Sequence, residues 1–88
     1  MLEIKYMTAF KREVKKIKDK KALVALREIL TLLIDEKPLP VSFNPHPLHG
    51  EYSGYMDCHV KFDLILIYRI EGNILWLYRI CSHNDLFK

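Results

Sequence analysis

Four histidines, His46, His49, His59 and His83, crowd into the second half of an 88-residue chain whose first 45 residues contain none. Around them stand Asp57, Asp63 and Arg79, in the runs His46-Pro47-Leu48-His49-Gly50, Asp57-Cys58-His59-Val60-Lys61-Phe62-Asp63 and Arg79-Ile80-Cys81-Ser82-His83. Histidine, with an ordinary pKa of about 6.5, both takes and gives protons near neutral pH. Several histidines beside an arginine and a carboxylate supply a base, an acid and a charge clamp, the parts that phosphodiester cleavage needs. Each residue also has a plainer reading. A lone histidine at a strand end is ordinarily a surface residue, and Arg79 can form a structural ion pair with Asp57 or Asp63. The concentration of these groups in one window makes the chemical reading the stronger one.

Two other chemistries compete for the same residues. Cys81-Ser82-His83 and His46-Pro47-Leu48-His49 offer ligand pairs for zinc. No C-x₂-C spacing accompanies them, and Cys58 is expected to face away from Cys81, so no metal or other cofactor is expected. Cys58 and His59 are neighbours on opposite faces of a strand, which rules out a direct cysteine–histidine nucleophile pair. The three glycines (50, 54, 72) are scattered and form no phosphate-binding loop.

Positioning these groups falls to a short chain. Eighty-eight residues, half of them hydrophobic, suit one domain spanning residues 1–88 with one economical core. No run of 18 apolar residues suggests a membrane span, and Met1 to Lys5 lacks the form of a secretory signal. With only two cysteines, a reducing cytoplasm is the expected setting. The net charge is only +3, but between Lys5 and Lys21 eight Lys/Arg face two acids, Glu13 and Asp19. Such an element attracts polyanions by counterion release, nucleic acid and acidic protein segments alike.

Periodicity predicts the elements. Leu2 to Tyr6 alternates apolar and polar, as a half-buried strand does. Thr8 is a candidate N-cap for a helix over 8–19, with Phe10, Val14 and Ile17 at helical spacing. After a turn at Asp19-Lys20-Lys21, a second helix over 21–35 carries a wide apolar stripe through Ala22, Leu23, Leu26, Ile29, Leu30 and Leu33, widened by Val24, Leu32 and Ile34. Residues 36–50 hold all four prolines and read as a long structured loop. Strands follow over 55–60, 63–70 and 73–80, the last two joined at Glu71-Gly72-Asn73. The run Asp63 to Ile70 is apolar enough for a strand covered on both faces. Ser82 is a candidate cap for a terminal helical turn. The result is an α+β fold of order β-α-α-β-β-β: a mainly antiparallel four-stranded sheet with a helical hairpin on one face, the other partly open.

Strand alternation then sorts side chains. Leu75, Leu77, Arg79 and Cys81 are expected to share one face of the last strand, and Trp76, Tyr78 and Ile80 the other. Asp57, His59 and Lys61 are expected to share a face of the earlier strand. If the two strands pair suitably, His59, Asp63, Arg79 and His83 converge at one end of the sheet, beneath a loop carrying His46 and His49.

From His46 to Phe87 the chain resembles the YafQ branch of the RelE/ParE toxin superfamily, the bacterial toxins of type II toxin–antitoxin systems. The resemblance rests on His46-Pro47-Leu48-x-Gly50, Asp57-x-His59-Val60-x-x-Asp63, an apolar strand ending in Ile67-Tyr68, Arg79-x-x-Ser82-His83, and Leu86-Phe87. The element order agrees with that RelE-like fold.

The resemblance implies a ribosome-dependent mRNA endoribonuclease acting in the A site. Its implied partners are a cognate antitoxin, the ribosome and its message, and operator DNA only through the antitoxin. His46, His59, Asp63, Arg79, His83 and Phe87 match positions that serve activity in the family, whereas His49 matches none. The implied reaction is attack of the RNA 2′-hydroxyl on the adjacent phosphorus. His83 would be the acid, His46 or Asp63 the base, Arg79 the phosphorane clamp and His59 a positioning group. Phe87 would stack on a base. No metal is required, because the nucleophile belongs to the substrate. Lys11, Lys15 and Lys18 on the basic helix would grip ribosomal RNA or an acidic antitoxin segment. In this branch an aromatic residue directly follows the aspartate, and here that position is Leu64. The alternatives are a toxin of the same fold that poisons DNA gyrase, which would not need the histidines, a noncatalytic antitoxin-binding module, and a small zinc protein.

Overall fold

The computed structural model describes residues 1–86. Five strands form one sheet in the spatial order β1-β5-β4-β3-β2: β1 (Glu3–Tyr6), β2 (His46–Pro47), β3 (Met56–Lys61), β4 (Leu64–Glu71) and β5 (Ile74–Cys81). The sheet is mixed, since β1 runs parallel to β5 while every other pairing is antiparallel. The fifth strand, β2, is a two-residue pairing inside the proline-rich segment, where the sequence suggested a loop without regular structure. β4 and β5 are joined by Gly72-Asn73, with Gly72 at φ +61°. A positive φ at the first central residue alone is the turn geometry that glycine supplies without steric cost.

Helix α1 is shorter than its periodicity predicts. It spans Thr8–Val14 rather than 8–19, its N-cap position is Met7 rather than Thr8, and no side chain caps it. Between Val14 and α2 the chain carries three lysines, Asp19 and one apolar residue, Ile17, which packs against the core without helical geometry. With no apolar stripe to bury, nothing offsets the cost of continuing the helix. Helix α2 spans Lys20–Ile34, and Asp19 belongs to it as N-cap, its carboxylate accepting the Lys21 N–H at 2.9 Å. Its buried face is Ala22, Leu26, Ile29 and Leu33. Leu23 and Val24 are exposed, so the stripe is narrower than the sequence suggests. At the end of α2, the Lys37 N–H bonds to Leu32 C=O and the Glu36 N–H to Leu33 C=O, with Glu36 left-handed at φ +58°. This is a Schellman closure made without glycine.

Both faces of β4 are covered, as its continuous apolar run predicts. On the helix side, Leu66 and Tyr68 pack with Phe10, Ile29, Cys58 and Leu75. On the other side, Ile65 and Ile67 pack with Cys81 and Leu86 under Leu48, Tyr52, Tyr55 and Tyr78. The second face is therefore closed by the 45–55 segment and by a last short helix, α3 (His83–Leu86). Ser82 caps α3, its hydroxyl accepting the Asp85 N–H at 3.1 Å, as the sequence suggests.

Two bulges decide which face each chemical residue occupies. In β5, Ile67 pairs with Arg79 and Tyr68 with Leu77, so Tyr78 is an extra residue. A bulge puts two successive side chains on the same side and bends the strand. Leu75, Leu77 and Ile80 consequently lie in the helix-side core, while Tyr78, Arg79 and Cys81 lie on the opposite face. The expectation that Arg79 shares a face with Leu75 and Leu77 fails for this reason, and strict alternation would have driven the guanidinium under the helices. In β3, His59 pairs with Ile65 and Lys61 with Leu64, leaving Val60 as the extra residue. Asp57 and His59 share the face opposite the helices, but Lys61 does not join them, contrary to the alternation. Its ammonium instead pairs with Asp19 at the start of α2, and that contact lowers the Asp19 pKa.

Candidate active site

Three histidines stand in a row across one end of the sheet. His46 on β2 pairs with Asp57 on β3. His59 lies two residues further along β3, and His83 opens α3. The ring centroids of His46 and His59 are 6.2 Å apart, and those of His59 and His83 5.3 Å, edge to face. Asp63, in the two-residue turn between β3 and β4, places Oδ1 3.9 Å from His83 Nδ1. The expected convergence of His59, Asp63 and His83 is thus realised, and His46 joins them through β2 rather than through a loop folded overhead.

The orientation of His46 is set from two sides. Its Nδ1 lies 2.9 Å from the Asn44 carbonyl oxygen. A carbonyl only accepts, so Nδ1 carries a proton there. Nε2 then faces Asp57 Oδ1 at 3.1 Å. The approach is oblique, and Oδ1 has no aligned donor among the described residues. Asp57 is 2% exposed. Burial raises its pKa above the usual carboxylate range, partly opposed by the charges of His46, His59 and His83. Asp57 is thus part of the site in a way the motif reading did not assign, although alternation does place it on the face of His59.

Arg79 belongs to the same face but is held from elsewhere. It pairs with Ile67, which pairs with Asp57, so the three form one row across β5, β4 and β3. Its partner is neither Asp57 nor Asp63. Glu13 on α1 takes both the Nε–H (3.2 Å) and an Nη2–H (2.5 Å), and its Oε1 also faces the Ile80 N–H at 3.3 Å. That backbone N–H is available because β1 pairs with β5 only over Ile74–Leu77, leaving the strand edge beyond it uncovered. The bidentate bond to Glu13 holds the guanidinium charged and raises its pKa, with Tyr52 contributing a further hydrogen bond. Two of the five guanidinium donors are committed to Glu13 and a third to Tyr52, which leaves the remaining two for a ligand. Sequence reasoning missed this residue. Its only signal is being the one acid between Lys11 and Lys18.

The remaining candidates are more peripheral. His49 is exposed ahead of a short 3₁₀ turn, Gly50–Tyr52, and takes no place in the row. Lys11, Lys15 and Lys18 are exposed. Of these, Lys18 lines a cleft of about 400 Å³ that is bordered also by Lys16, Lys61, Asp63 and Ser82, next to the histidine row. Phe87 lies outside the described residues. Leu64 is half-buried against the helix-side core. Cys58 and Cys81 are buried, their thiols pushed up to about 12 and about 11 chiefly by desolvation, which makes them poor nucleophiles. No group of three or more His, Cys, Asp or Glu among the described residues is arranged to hold a metal ion.

Residues 2–88 match the family model described as bacterial toxin of type II toxin-antitoxin system, YafQ. The chain belongs to that family. It is 37% identical over 87 residues to the mRNA interferase toxin YafQ of Escherichia coli, covering 97% of this chain and 95% of the relative. The crystal structure of E. coli YafQ superposes with a TM-score of 0.87 at 34% identity, covering all of both chains. YafQ in the E. coli DinJ–YafQ complex superposes with a TM-score of 0.85 at 35% identity, again over the whole of both chains. The α+β architecture inferred from periodicity is that of these YafQ structures, with the short β2 as the added strand.

Proposed function

We propose that this YafQ-family toxin is an mRNA endoribonuclease that cuts translated messages in the ribosomal A site, works in the cytoplasm, and is neutralised by a cognate antitoxin. The observation that carries this reading is the row His46–His59–His83, flanked by Asp57 and Asp63, on the sheet face that also carries Arg79. A gyrase poison or a bare binding module would have no use for three adjacent proton-transfer groups.

In the proposed reaction the 2′-hydroxyl oxygen attacks the adjacent phosphorus as its proton leaves for the base. The P–O5′ bond breaks, and the departing O5′ takes a proton from the acid, leaving a 2′,3′-cyclic phosphate and a 5′-hydroxyl. His83 at the start of α3 is the acid. The His46–Asp57 pair is the base rather than Asp63: with Nδ1–H held by the Asn44 carbonyl and Asp57 ionised, Nε2 keeps a free lone pair, and the proton taken from the 2′-hydroxyl is held there against the carboxylate. Asp63 is exposed and faces His83, where it steadies the imidazolium before proton donation. His59, between the two, positions the phosphate. The remaining donors of the Arg79 guanidinium stabilise the phosphorane. Lys11, Lys15 and Lys18 contact ribosomal RNA or an acidic antitoxin segment, Phe87 stacks on a base, and operator DNA is met only through the antitoxin. The absence, among the described residues, of a helix long and apolar enough to cross a membrane is compatible with a ribosomal target.

The test is induced expression of wild type and His83→Ala in bacteria, scoring growth and mapping the 5′ ends of a translated message. In-frame cleavage and arrest in the wild type, both lost in the variant, are expected. Arrest with intact messages would refute the reading.

A further inference from the structure

We propose that Phe62 is a stacking platform for a nucleobase of the RNA substrate next to the cleaved bond. This inference rests on the nuclease reading above and deepens it. Phe62 is the first residue of the two-residue turn between β3 and β4, and its chain neighbour Asp63 contacts His83. Consecutive Cα atoms lie about 3.8 Å apart, so its backbone stands beside the histidine row. It is 98% exposed, and neither core cluster includes it. Tight turns favour Gly, Asn, Asp and Pro, so local chemistry does not account for a phenylalanine here. A single exposed apolar residue is ordinary. This one differs in lining a groove with Phe43, Ser42 and His59, beyond the point where β2 stops covering β3. His59 belongs to both the groove and the row, so the two surfaces are continuous. A strand of RNA with its phosphate at His59 has an aromatic ring on the adjoining wall. Leu64, where this branch carries its aromatic, faces the helix-side core and is unable to stack. The ring that can do so precedes Asp63 instead of following it.

The experiment compares wild type, Phe62→Ala, Phe62→Leu and Phe62→Trp in cleavage of a message translated on purified ribosomes, with cleavage positions mapped and thermal unfolding recorded. Base–aromatic stacking corresponds to roughly five- to a hundredfold per base. A drop in kcat/KM of about tenfold is expected for Ala and Leu, with a changed nucleotide preference beside the cleaved bond, near-wild-type rates for Trp, and unchanged melting throughout. Wild-type rates and positions for Ala, or full rescue by Leu, would overturn the proposal. So would a loss confined to antitoxin binding. If wild type leaves every message intact, the nuclease reading fails first. Binding of a short fluorescein-labelled oligoribonucleotide to wild type and Phe62→Ala then decides stacking alone: weaker binding by the Ala variant supports it, and equal binding, or none by either, overturns it.

Discussion

Replacing Glu13 with alanine is expected to loosen the fold and disarm the site together. The carboxylate makes two hydrogen bonds to Arg79 and faces the Ile80 N–H. The side chains are 12% and 23% exposed, between a surface pair and a buried one. Exposed pairs contribute about 0–1 kcal/mol, and breaking a buried pair costs about 3–5 kcal/mol. The intermediate setting, with water able to reach the bared groups, suggests about 2–3 kcal/mol for Glu13→Ala. Glu13→Gln keeps the shape and one acceptor and is expected to cost about 1 kcal/mol. In a domain of this size 1 kcal/mol shifts Tm by roughly 4–8 °C, so the alanine variant should melt about 10–20 °C lower. Message cleavage should fall about 10- to 100-fold in the alanine variant, because the guanidinium is no longer aimed. A double-mutant cycle with Arg79→Ala, read by urea unfolding, isolates the pair. If Glu13→Ala costs under about 0.5 kcal/mol, or if the cycle shows no coupling, the assignment of Glu13 as the residue that positions Arg79 is wrong.

Other expectations follow from particular atoms. Glu36 closes α2 at φ +58°, so Glu36→Gly should raise stability in urea by about 1 kcal/mol, and a loss would contradict the strain argument. Burial raises the Asp57 pKa. A raised carboxyl favours the fold at low pH, and that contribution is lost as pH rises through its folded value. Asp57→Asn should therefore be more stable than wild type at pH 8, with the gap closing toward pH 4, while message cleavage falls. A gap that widens on acidification would reverse the sign. Cys58 and Cys81, at about 12 and about 11, should resist iodoacetamide at pH 8 until the protein is unfolded, as intact-mass spectrometry can show; fast native labelling would refute their burial.

Much of this protein is written in short stretches of chain. The apolar run of β4, the stripe of α2, Gly72 at its turn and Ser82 before α3 each act through neighbours a few residues away, and each appears in the structure close to where local pattern puts it. The chemical residues were legible for the same reason, since histidine and arginine announce themselves by type. What only the tertiary structure decided is where those residues face and what holds them. Strict alternation sends Arg79 into the core, and the bulge at Tyr78, a mismatch in length between paired strands, turns it outward. The bulge at Val60 removes Lys61 from the face of His59. Glu13 reaches Arg79 across 66 residues only because the pairing of β1 stops opposite Leu77 and leaves the β5 edge open beyond it. Register, bulges and edge lengths arise from backbone hydrogen bonds between segments distant in sequence, and no local period encodes them.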